Sequence, residues 1–127
     1  MSNWENAILH LWSVIEYLTY TGTKNYDVTI ERASFIFDDR ELAKQILNQL
    51  REYRNNYVHK SEISIHQEML MYQAKYYCEQ QLLFHIFNSF HFETLEEASK
   101  FLDLSKDKSK LSRNIKLFDY ALKNYAK

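Results

Sequence analysis

Apolar residues recur every three or four positions along almost the whole chain, the spacing that gathers them on one face of an α-helix. Trp4, Ile8, Leu11, Trp12, Ile15 and Leu18 make one stripe, opened by Asn3 as a cap and ending near Gly22. Residues 21–27 are the clearest loop, and Asp27 is placed to cap a short helical segment through Phe37. Asp38 and Glu41 have capping-box spacing before a helix carrying Leu42, Ile46, Leu47, Leu50, Tyr53 and Tyr57. Ser64 and Gln67 repeat the device ahead of the longest helix, about Ile65 to Phe90, with Met69, Tyr72, Tyr76, Leu83 and Phe87 turned inward. Thr94 and Glu97 do so again for a helix ending near Asp103, and a last helix runs from about Lys106 to Tyr125. The pattern predicts an all-α protein, a bundle of four main helices plus one or two short ones.

Composition narrows this further. At 127 residues the chain has the length of one domain, so 1–127 reads as a single helical domain, either a small whole protein or one excised from a larger chain. One glycine and no proline leave little material for the turns of sheets, sandwiches and barrels, and none for a Gly-rich phosphate cradle. With 46% apolar residues a core needs neither metal nor disulfide, and Cys78 stands alone. No apolar run approaches membrane-spanning length, so the expectation is a soluble, cytoplasmic domain with no membrane partner. The twenty aromatic residues mostly occupy stripe positions and read as core rather than as a platform for stacking bases.

Net charge is −1, which gives no overall footprint for nucleic acid. Its distribution is uneven: Lys100 to Lys127 holds eight basic and three acidic residues, leaving residues 1–99 at −6. A basic tail on an acidic body suits RNA, an acidic partner, the body itself, or simply solvent.

One charged residue falls on an apolar stripe. Arg54 follows Ala43, Leu47 and Leu50 at helical spacing, and a guanidinium there must be paired, hydrogen-bonded or open to a crevice, unless it only snorkels from the end of the stripe. His59 comes five residues later, about 140° around a continuous helix, so the two converge only if the helix loosens after about Asn56. Asn55-Asn56, β-branched Val58 and the polar stretch Lys60-Ser61-Glu62 favour such an end. A permanent cation, a group titrating near neutrality and amides to orient them would then meet around a phosphodiester.

The segment Arg54-Asn55-Asn56-Tyr57-Val58-His59 resembles the motif of HEPN domains (higher eukaryotes and prokaryotes nucleotide-binding), an Arg separated from a His by four to six residues. The opening helix, His10 to Leu18, resembles the first helix of HEPN domains near abortive-infection proteins, and the resemblance covers about residues 4 to 90. It implies a helical bundle that dimerises with the two motifs facing each other, and a metal-independent endoribonuclease of phage-defence or toxin–antitoxin systems. One toxin branch has a Tyr two residues after the His, modified by its antitoxin; Ser61 stands there in this chain, with Lys60 between, so that regulation is not carried over. Other HEPN domains are catalytically silent dimerisation or partner-binding modules, and further domains of a larger defence protein or an antitoxin are the partners the resemblance suggests.

The residue types suit the chemistry. RNA carries its own nucleophile, the 2′-OH, so cleavage needs a proton acceptor, a proton donor and cations around the phosphate, with no cofactor and no metal. His59 can exchange protons near neutral pH, Arg54 can hold non-bridging oxygens, and Asn55 can orient His59 or donate to phosphate. One such His per chain gives a symmetric dimer a mechanistic reason. Lys60, Lys110, Arg113 and Lys116 are the candidate RNA contacts. His66, His85, His91 and Cys78 lack the paired spacing of a zinc site. Thr94 to Lys106 resembles the first half of a helix-turn-helix, completed by a helix with Lys110, Arg113 and Lys116, which gives DNA binding as a further alternative.

Overall fold

Six α-helices and no strand form among the described residues of the computed structural model, which covers 3–21, 26–60 and 67–127, with the side chains of 3, 4, 26 and 56–60 outside the description. They are α1 (Asn3–Leu18), α2 (Tyr26–Ser34), α3 (Arg40–Lys60), α4 (Gln67–Phe87), α5 (Leu95–Leu102) and α6 (Lys108–Asn124). Four are long and two short, as the periodicity requires.

The core is built from one face each of α1 to α4. Ile8, Trp12 and Ile15 of α1 meet Ile30 and Ala33 of α2, Ala43, Leu47 and Leu50 of α3, and Leu70, Ala74, Tyr77 and Cys78 of α4. The α1–α4 interface is the most extensive. The two helices run parallel: Gln67, opening α4, donates to Glu5 near the start of α1 (2.8 Å), while His85 near the end of α4 bonds the carbonyl of Leu18, the last residue of α1 (2.8 Å). Helix α2 packs on α3, and α5 closes over α2.

The helix ends show where side chains and backbone share the orphan groups. Helix α1 stops in a Schellman motif, with Thr21 N–H on Glu16 O (2.9 Å) and Tyr20 N–H on Tyr17 O (3.0 Å). Its left-handed position is Tyr20 (φ 55°), a residue with a Cβ where glycine is usual. Buried hydroxyls brace the turn: Thr29 donates to Thr21 Oγ1 (2.7 Å), which lies 3.0 Å from Thr19 Oγ1. Gly22 and the proposed Ser64 cap lie outside the described residues. The cap of α3 is Asp39 rather than Asp38: its carboxylate accepts from Leu42 N–H (3.1 Å), so Glu41 is one position short of completing a capping box. Thr94 caps α5 as its spacing with Glu97 predicts (3.0 Å), and Asp107 caps α6 by accepting from Lys110 N–H (2.9 Å).

Two findings overturn the expected core. In α4, Met69, Tyr72, Tyr76, Leu83 and Phe87 face outward, and the buried face is Gln67, Leu70, Ala74, Tyr77, Cys78 and Gln81. The helix is apolar on both sides, and the smaller residues Ala74 and Cys78 let it approach α1 closely. Helix α6 buries no residue at all, leaving Ile115, Phe118 and Leu122 open. Leu42 is also exposed. The aromatics are therefore not mostly core: only Trp12 and Tyr77 are buried among those whose burial is described, whereas Phe87, Phe90 and Phe118 are 74%, 97% and 72% exposed.

The root of α6 is nonetheless fixed. Arg32 on α2 holds Asp103 bidentately (2.8 and 3.0 Å) and donates to the carbonyls of Thr19 and Tyr20. Lys106 donates to the carbonyls of Phe35 and Phe37 (2.7 and 2.9 Å) and lies over the Phe35 ring. The linker from α5 to α6 is tied to the body, and α6 leaves it as an anchored arm.

Candidate functional site

Arg54 ends the buried stripe of α3. Ala43, Leu47 and Leu50 are core, and Arg54, one turn on, is half-buried. Its Nη1 donates to Asn55 Oδ1 (3.3 Å), so the neighbouring amide orients the guanidinium. Glu16 of α1 completes the local electrostatics. Burial pushes its carboxyl above the ordinary carboxylate range, and the Arg54 charge pulls it partly back. Arg54 thus sits between the snorkelling residue and the paired one: it is half-buried, with its guanidinium near an acid and bonded to an amide.

Helix α3 does not loosen after Asn56. It runs to Lys60, so His59 lies on the same continuous helix as Arg54, about 140° around its axis. One chain therefore gives the two residues no common helix face. The side chains of His59 and Lys60 lie outside the described residues, as do Ser61 and His66 entirely. Lys110, Arg113 and Lys116 are all exposed on α6, which does not pack along α3, so they are not gathered with Arg54.

A second polar cluster was not foreseen. Glu5 is buried on α1 and accepts from Gln67 Nε2 (2.8 Å), which also donates to Tyr53 OH (3.0 Å). It joins α1, α3 and α4 beside the end of the core. Glu5 could have been found by the reasoning that picks out Arg54: positions 5, 8, 12 and 15 share one helix face, so a charged residue stands on the apolar stripe.

The remaining titratable groups have structural surroundings. His85 is held by the Leu18 carbonyl, and burial lowers its pKa against the raising effect of that bond. Burial, with Glu79 nearby, raises the Cys78 thiol, which disfavours the nucleophilic thiolate. Among the described residues no group of three or more His, Cys, Asp or Glu comes together. No described helix is long and apolar enough to cross a membrane. Helix α5 packs on α2 and makes no extensive contact with α6.

Compared with protein-family models, characterised proteins and solved structures, the chain has no match.

Proposed function

We propose that the chain is a metal-independent endoribonuclease of the HEPN type, a homodimer that cleaves single-stranded RNA by 2′-OH transesterification. The observation that supports it is the setting of Arg54: a half-buried cation at the end of the α3 core stripe, oriented by Asn55, five residues before His59 on the same helix. Because one helix separates Arg54 and His59 by about 140°, the reacting phosphate lies between the α3 ends of two protomers, each supplying both residues. One His59 takes the proton from the 2′-OH as its oxygen attacks phosphorus. The partner's His59 protonates the 5′-oxygen as the P–O bond breaks. Arg54 stabilises the extra charge on the non-bridging oxygens, and Lys60, Lys110, Arg113 and Lys116 guide the strand by phosphate contacts.

The test is RNA cleavage in EDTA, with 2′,3′-cyclic phosphate ends expected. His59→Ala should lower the rate by about 10²- to 10⁴-fold with helical content unchanged, and Arg54→Ala should lose activity as well. A magnesium requirement, or cutting of a strand that is 2′-deoxy at the cleaved position, overturns the reading. The continuity of α3 favours a second one, a catalytically silent HEPN module for dimerisation, RNA or partner binding. Association without cleavage under all these conditions selects it.

A further inference from the structure

Helix α6 buries no residue, although its root is fixed by Lys106 and by the Arg32–Asp103 pair. A lone helix of this length is marginal in water, so its two sides show what it is built to meet. At 3.6 residues per turn, Leu111, Ile115, Phe118, Leu122 and Tyr125 fall within about 40° of one line along the helix. The last four of them are exposed. The rest of the helix is basic, and its charge is unspent. Lys123 is taken by Asp119, the single acid of α6 (2.9 Å), but Lys108, Lys110, Arg113 and Lys116 have no acidic partner among the described residues. On the body, by contrast, Arg32, Arg40, Lys44, Arg51 and Lys75 are each ion-paired.

We infer that α6 is a membrane-surface helix, lying flat in the headgroup layer of an anionic bilayer with the Phe118 side at the acyl boundary. Helices of this kind pair a Phe- and Leu-bearing side with a Lys- and Arg-rich one and have low net hydrophobicity. The cations stand where such a helix needs them. Lys108 lies about 60° from the apolar line on one flank and Lys110 about 100° on the other. From there an aliphatic stem runs along the apolar surface and carries its ammonium to the headgroups. Charge decides the occupant. A second α6 would set four unpaired cations against four, and a single-stranded nucleic acid would satisfy the cations while leaving Leu111, Ile115 and Leu122 in water. An anionic bilayer takes both sides at once. Residues 1–99 carry −6, so the same surface repels the body and the contact is confined to the arm. Arg113 and Tyr120, about 160° and 180° from the apolar line, stay on the water side. A helix lying in the interface needs no spanning length, the only ground on which the sequence set a membrane partner aside.

The inference stands on α6 and not on the ribonuclease reading, so its test uses vesicles rather than activity. Flotation of the full chain should show binding to phosphatidylcholine vesicles containing about a third phosphatidylserine, and none to phosphatidylcholine alone. Raising the ionic strength to about 1 M, where screening acts within about 3 Å, should weaken it. Phe118→Ser should lower the affinity by at least about tenfold, whereas Tyr120→Ser on the opposite side should leave it unchanged. Both side chains are exposed, so circular dichroism in the absence of vesicles should show the wild-type helicity for each. Lys108→Gln and Lys110→Gln should each cost about fivefold. Equal binding to both kinds of vesicle, binding to neither, or equal losses from Phe118→Ser and Tyr120→Ser overturns the inference. A chain that ignores vesicles but holds a single-stranded RNA oligomer through Tyr120 has a nucleic-acid arm instead. One that ignores them and sediments at twice 15.4 kDa until Phe118→Ser makes it monomeric has buried this side against a second copy.

Discussion

Helices α1 and α6 carry nearly the same apolar pattern and meet opposite fates. Ile8, Trp12 and Ile15 are sealed in the core, while Ile115, Phe118 and Leu122, also three and four residues apart, are open to solvent. Periodicity states that a helix has an apolar side; what covers that side depends on where the chain turns. Helix α4 holds both outcomes at once, with Leu70, Ala74 and Tyr77 against the bundle and Met69, Tyr76 and Phe87 facing out. A single chain of this length has one core, and α4 offers it two faces. The face with smaller residues won the intramolecular contact, since Ala74 and Cys78 admit the close approach of α1, and the bulkier residues Met69, Tyr76 and Phe87 stay exposed.

The contrast is broken most forcefully from the buried side. Leu50→Ala should destabilise the fold by about 2–5 kcal/mol, read by urea denaturation and independent of protein concentration. A cost near zero would mean that the α3 stripe is not the centre of the core. Thr94→Ala removes the cap of the helix that links body to arm and should cost about 1 kcal/mol. The same denaturation measures it, and no change would mean that α5 is held by its packing on α2 alone.

A pH-dependent effect marks the α1–α4 seam. The folded state lowers the pKa of His85, so the unfolded chain binds its proton more readily. That contribution to stability is complete above the ordinary imidazole value of about 6.5 and is lost as pH falls below it. The melting temperature should therefore decline from about pH 7 toward pH 5, and His85→Gln should flatten the decline. Glu16, whose carboxyl is raised, acts with the opposite sign at the acid end, so the difference between wild type and His85→Gln isolates the imidazole. An identical slope in both proteins would remove His85 from the seam's titration.

The smallest effect belongs to the open side. Phe118→Ala, at a residue 72% exposed, should change stability by less than about 0.5 kcal/mol. A larger cost would show that α6 packs on its own body.

Much of the local structure was written in short-range signals. Thr94 with Glu97 placed the start of α5, the stripe Ile8 to Leu18 placed α1 and its inner face, and Ala43, Leu47 and Leu50 placed the inner face of α3 with Arg54 at its end. These depend on residues within one or two turns of each other, which the 3.6-residue period and the capping geometry determine directly. The cap of α3 shifted from Asp38 to Asp39 because either carboxylate satisfies the local rule, and the turn after Phe37 selects between them. The loosening expected after Asn56 did not occur: the asparagine pair weakens a helix by about 1 kcal/mol in all, too little to end one already propagating from a packed face.

Long-range choices were decided by the tertiary structure alone. Which side of α4 faces α1, whether α6 joins the bundle, and the meeting of Glu5 with Gln67 and Tyr53 all rest on contacts between segments tens of residues apart. Apolar area is indifferent to which partner covers it, so a helix with two apolar faces leaves the hydrophobic effect without a preference. Shape, chain connectivity and the Arg32 and Lys106 tethers then set the arrangement. The same holds at the motif: the continuity of α3 sets Arg54 and His59 of one chain about 140° apart, whereas the relation of Arg54 to the His59 of a second copy would depend on how two copies are brought together.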